Sequence, residues 1–189
     1  MKSASSRFFA FCAALGFALA LDGAARAQEA GRLRNPEFKC TTFQAYHHQD
    51  EIEITRRVLD EMASLRPAML RIEFIADSDT TRTINYAAYD WIVEELGRRG
   101  IGVLGLIDYQ SVGWASEAEW ATEGFRQRFA ARAREIAAHY RAHTFPIRHW
   151  EIWNEPDIKV EGFNVRIEPA PYARLLIAAW EAVKSADPG

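Results

Sequence analysis

Cysteine is nearly absent: the 189-residue chain holds only two, Cys12 and Cys40. Cys12 sits in an apolar leader, so removal of that leader leaves Cys40 alone and excludes an intramolecular disulfide. A lone thiol in an apolar strand reads as packing. A basic excess is also missing. The formal net charge of −3 and a pI near 6.0 leave no cationic footprint for nucleic acid. Nothing is read as a phosphate loop or a dinucleotide Gly-x-Gly-x-x-Gly turn, which weighs against a nucleotide-binding doubly wound sheet. His47 and His48 are adjacent and would point to opposite faces of a strand. No third ligand stands at a useful spacing, so no metal and no other cofactor is expected. Nor does any apolar run reach the roughly 20 residues of a membrane helix.

What is present begins with an export signal. Lys2 and Arg7 give a positive start, Phe8 to Leu21 an apolar run, and Ala25-Arg26-Ala27 a cleavage pattern before Gln28. Residues 1–27 are therefore read as a signal peptide and the protein as secreted or periplasmic, with no membrane attachment after cleavage. Residues 28–37 form a short N-terminal segment, and 38–189 form one domain. With 49% apolar residues the chain is globular.

The domain alternates strand and helix. Phe38 to Tyr46 reads as a first strand. Asp50 with Glu53 offers a capping box for a helix whose face is Val58, Leu59, Met62 and Leu65, stopped before Pro67. Ala68 to Ala76 is a second strand. Asn85 caps a helix with Tyr89, Ile92, Val93 and Leu96 on one face, and Gly100 ends it. Ile101 to Ile107 is a third strand. Ser116 and Glu119 form another capping box, before a helix carrying Phe125, Phe129, Ala133, Ile136 and Tyr140. Ile147 to Trp153 is a fourth strand, covered on both faces. Tyr172, Leu175, Leu176, Ala179, Trp180 and Val183 mark a last helix. Four such repeats argue for parallel strands with right-handed crossovers, in an α/β fold.

The chemistry concentrates in Trp150-Glu151-Ile152-Trp153-Asn154-Glu155-Pro156. Proline stops the strand and biases the preceding residue toward an extended backbone. Glu155 is thus expected at the strand exit, extended and partly desolvated by Trp153, as a general acid near neutral pH requires. This run resembles the acid/base motif of the retaining glycoside hydrolases of clan A, where Asn-Glu-Pro closes the fourth strand of a (β/α)8 TIM barrel. Leu70-Arg71-Ile72-Glu73-Phe74 resembles their second strand. Tyr89-Asp90 through Gly100-Ile101-Gly102-Val103 is similar to the following helix and third strand in family five and family thirty-nine enzymes. Tyr172 to Leu176, through Ala186-Asp187-Pro188, is similar to their fourth helix.

The resemblance implies a TIM-barrel fold with about the first four β/α units present, and an O-glycosyl hydrolase acting on a polysaccharide or β-glycoside. It implies Glu155 as general acid/base and Asn154 as the partner of the sugar 2-hydroxyl. Arg71 matches the second-strand arginine that supports the nucleophile. Trp153 and Trp114 are candidate sugar-stacking residues by position. Retention needs a second carboxylate; the clan carries it on the seventh strand, which these residues do not include. Glu73 is expected to pair with Arg71 or a neighbouring strand, and Asp108 to serve as a cap or subsite group. The alternative function is a non-catalytic half-barrel that binds carbohydrate or assembles with another chain, and exposed barrel edges would favour self-association.

Overall fold

The computed structural model of the chain describes residues 40–43, 52–77, 82–113, 117–158 and 166–189. The signal, the 28–37 segment, His47, His48, Trp114, Ser116 and the Asp50 cap lie outside them, as does the Cys40 side chain. Strands β1 (Cys40–Phe43), β2 (Met69–Glu73), β3 (Gly102–Ile107) and β4 (His149–Ile152) alternate with helices α1 (Ile52–Ser64), α2 (Tyr86–Arg98), α3 (Glu117–Trp120), α4 (Glu123–Arg141) and α5 (Pro169–Ala186). All pairings are parallel and the order is β1-β2-β3-β4. A doubly wound sheet reverses its order at a switch point; a strictly sequential order is what a barrel uses. The spacing Gly100-x-Gly102-x-x-Gly105 does occur, but on entry to β3 rather than on exit from a strand.

Strand alternation divides the sheet into two faces. Leu70, Ile72, Phe74, Val103 and Ile107 are buried in the main core, together with α2 residues Tyr89, Ile92, Val93 and Leu96 and α4 residues Phe125, Phe129, Ala133, Ile136 and Tyr140. Each fully buried Val, Leu, Ile or Phe among them contributes about 1.5–3 kcal/mol. The opposite face carries Arg71, Glu73 and Glu151, where a closed barrel has its interior. Register places Glu73 opposite Leu106 and Leu106 opposite Glu151. On the core side, Gly105 lies between Ile72 and Trp150 and leaves room for the indole.

Several expectations need correction. Leu65 is 70% exposed: α1 ends at Ser64, and Arg66 takes a left-handed φ of 52°, so Leu65 leaves the helical face. Helix α4 is capped by Thr122, whose side chain accepts from Phe125 N–H, and the short α3 precedes it. On α5 Leu175, Ala179 and Ala182 are buried and Tyr172 and Val183 pack against the core half-buried, whereas Leu176 and Trp180 are 39% and 59% exposed. Strand β4 stops one residue earlier than expected, and its residues are half-buried or exposed rather than covered on both faces. The Asn85 cap and the α2 face stand as read: the Asn85 side chain accepts from Ala88 N–H, and Gly100 follows with φ 71°.

Candidate active site

The strand exits converge at one end of the sheet. Trp153 N–H still donates to Ile107 O at 2.8 Å, but its φ of 75° turns the chain out of β4. Glu155 then has φ 46°, and its carbonyl accepts from Ile158 N–H at 3.2 Å. The extended conformation expected before Pro156 is therefore not adopted. The turn's hydrogen bonding, and that of Ile167 N–H to Pro156 O at 2.9 Å, outweigh a left-handed cost of order 1–3 kcal/mol per residue. Nor is Glu155 desolvated: it is exposed, at the strand exit.

Trp153 is the opposite. It is 2% exposed and packed against Tyr109, Trp120, Phe125 and Phe129, with ring centroids 4.9–6.2 Å away. Those neighbours take its surface, so it is a floor under the turn rather than a face for a sugar. The sequence pattern missed this because its partners lie in other segments. Trp114, the other stacking candidate, lies outside the described residues.

Arg71 reaches across β3 to grip β4. Its Nε donates to Glu151 Oε2 at 2.7 Å and its Nη2 to Glu151 Oε1 at 2.9 Å, while Nη2 also reaches Asn154 Oδ1 at 2.9 Å. Hydrogen bonding to Glu151 raises the Arg71 pKa further, against desolvation. Of the partners expected for Glu73, Arg71 or a neighbouring strand, Arg71 pairs with Glu151 instead, and Glu151 is a site residue the sequence reading did not single out. Glu73 Oε1 instead accepts from Gln110 Nε2 at 2.6 Å. Burial pushes up the phenol of Tyr109, just past β3, and the Asn154 side chain acts against that rise.

Asp108 is a cap, as expected. Its Oδ1 accepts from Gln110 N–H at 2.8 Å, and Ser111 Oγ accepts from Asp108 N–H at 3.0 Å. It is wholly buried, and Oδ2 meets no donor among the described residues. Burial pushes its carboxyl well above the usual range, and the charge of Glu73 and a hydrogen bond with it act in the same direction.

Among the described residues, no three His, Cys, Asp or Glu side chains gather as a metal-binding set. Clefts of about 440 Å³ between α4 and α5 and about 250 Å³ near Gly100 and Pro146 lie away from Glu155.

No protein-family model and no curated protein matches the chain. Solved structures do. The endo-β-1,4-mannanase of Thermotoga petrophila aligns with a TM-score of 0.60 at 14% identity, over 81% of this chain and 41% of its own. The endo-1,4-β-mannanase of Rhizomucor miehei gives 0.61 at 17%, over 80% and 54%. A family 1 β-glucosidase from Thermotoga maritima gives 0.51 at 15%, over 72% and 36%. At these identities the likeness shows the fold: four β/α units of TIM-barrel type. The chain spans between a third and just over half the length of these three structures.

Proposed function

We propose that this chain is part of an exported retaining O-glycosyl hydrolase in which Glu155 is the general acid/base. The observation that carries the reading is the placement of Asn154-Glu155-Pro156 just past the end of the fourth parallel strand. That end is where barrel enzymes gather their reacting groups, and the similar structures named above are mannanases and a β-glucosidase. Exposure suits Glu155 to meet a substrate that would itself exclude water. Asn154 is held beside it by Arg71, ready to hydrogen-bond a sugar hydroxyl. Trp153 supports the turn from below and is not proposed as a sugar contact. The polypeptide that completes the barrel would supply the second carboxylate, about 5–5.5 Å from the first as retention requires. The substrate class proposed is a polysaccharide or β-glycoside.

In a polypeptide in which the barrel is complete, Glu155→Gln should slow glycosylation by about 10²–10⁴-fold on substrates with poor leaving groups. The amide keeps the shape but has no proton to give, so activated aryl glycosides should lose far less. Equal glycosylation rates for variant and parent on a poor substrate would refute the assignment.

A second reading, a non-catalytic half-barrel that assembles with another chain, draws on β1 and β4 as sheet edges and on Ile177 and Trp180, 57% and 59% exposed on α5.

A further inference from the structure

Two backbone carbonyls bracket Asn154 and Glu155, and both are held from the start of α5. Ile152 O accepts from the Tyr172 hydroxyl at 3.1 Å, and Pro156 O accepts from Ile167 N–H at 2.9 Å. A carbonyl can only accept, so the phenol is the donor. Trp153 N–H points toward β3, where it donates to Ile107 O, so the alternation of a strand turns the Ile152 carbonyl to the outer edge of β4. No strand takes that carbonyl among the described residues, and the Tyr172 hydroxyl takes it instead. Tyr172 packs half-buried against the core, which gives its hydroxyl a fixed origin.

Between the two held carbonyls the backbone takes φ 75° at Trp153 and 46° at Glu155. Left-handed residues of this kind persist where their surroundings over-determine them. Trp153 is held by its buried ring and its N–H. Glu155 is exposed and has no such packing. Its direction follows from where the turn leaves the strand and where it closes.

We infer that Tyr172 is a positioning residue for Glu155. Its hydroxyl fixes the carbonyl at which the turn leaves β4, and through it the direction in which Asn154 and Glu155 are presented. What they are presented to rests on the glycosidase reading. The positioning does not, and it is tested without a sugar.

Ile-Trp, Asn-Glu and Asn-Tyr each occur once in the chain, at 152–153, 154–155 and 85–86. Labelling the full chain with carbonyl ¹³C on the first residue of a pair and amide ¹⁵N on the second therefore gives one NMR signal for each. Tyr172→Phe deletes one hydroxyl and should move the Ile152 carbonyl signal. It should also speed exchange of the Trp153 amide about fivefold, the factor for one lost hydrogen bond, and shift the Glu155 amide. The Asn85–Tyr86 signal, from the α2 cap, should stay in place and shows that the fold persists. A shift confined to the Ile152–Trp153 peptide would reduce Tyr172 to a local contact and overturn the inference, as would no shift at all. Should Tyr172→Phe lose the Asn85–Tyr86 signal as well, Tyr172→3-fluorotyrosine decides, since it puts a stronger donor on the same ring. The Ile152 and Glu155 signals should then move together, and an unmoved Glu155 amide would overturn the inference. Failure of Glu155→Gln to slow a completed enzyme would leave these shifts standing and sink only the glycosidase reading.

Discussion

At the scale of single residues, the interior-facing carboxyls divide the work. Glu151 is matched to Arg71, whereas Asp108 is buried, and that burial together with the charge of Glu73 pushes its carboxyl up. Because burial raises the folded pKa of Asp108, the folded state binds more protons than the unfolded one between the unfolded value, about 3.9, and the raised one. Its contribution to stability is full below that window and is lost as pH rises through it. Asp108→Asn should therefore stabilise the chain at neutral pH, by about 1 kcal/mol if the amide donates to Glu73, or roughly 2–4 °C in Tm. At pH 3 the gain should vanish. A thermal melt series from pH 3 to 8 checks this, and a parent whose Tm is no more pH-dependent than the variant's would contradict it. The place of Asn154 and Glu155 just past a strand was legible because they are consecutive letters after one apolar run. Glu151 was not, because its meaning depends on an arginine 80 residues away.

At the scale of elements, the α2 face was legible and the α5 face only partly so. Both show apolar residues at helical spacing, but α5 has them nearly all round, so periodicity could not rank Leu175 above Leu176 or Trp180. Contact with α4 made that choice. Strand β3 depends on a residue with no side chain. A Cβ on Gly105 would lie 2.5 and 2.7 Å from Trp150 ring atoms and 3.2 Å from Phe74. Gly105→Ala should accordingly cost about 1–3 kcal/mol through overpacking. Adding Trp150→Leu should recover part of the loss, since the two changes share one space. Chemical denaturation of the single and double variants measures the coupling, and additive losses would show that Trp150 is not the obstacle.

At the scale of the whole molecule, a sheet whose two outer strands each have a single neighbour among the described residues invites further pairing. Edges of this kind recruit other chains, and Leu176, Ile177 and Trp180 add an exposed apolar stripe on α5. Residues 28–189 should associate in light scattering. Ile177→Ser with Trp180→Ser should weaken that association, with little cost to the fold because both side chains are more than half exposed. The same polypeptide should leave aryl β-glycosides intact, since the proposal assigns the second carboxylate to the polypeptide that completes the barrel. A monodisperse, cooperatively folding monomer that hydrolyses one of them would overturn the proposal and turn attention to Glu73 and Asp108. Export is tested separately: mass spectrometry of the mature protein should find Gln28 at its N-terminus.

The sequence by itself determined the alternation of strands and helices, the α2 cap and face, and the position of Asn154-Glu155-Pro156 at a strand exit. These rest on interactions between near neighbours: a side chain reaching its own helix end, apolar residues recurring each turn, a proline that cannot continue a ladder. Only the tertiary structure decided that the strands run in sequential order, that Trp153 is floor rather than surface, and that Arg71 turns to Glu151 instead of Glu73. Each of those outcomes joins distant segments. Packing around Trp153 needs Trp120 and Phe129, and the reach of Arg71 depends on how β2, β3 and β4 align. Hydrogen bonds within the turn, and its closure onto Ile167, likewise overrode the local preference for an extended Glu155.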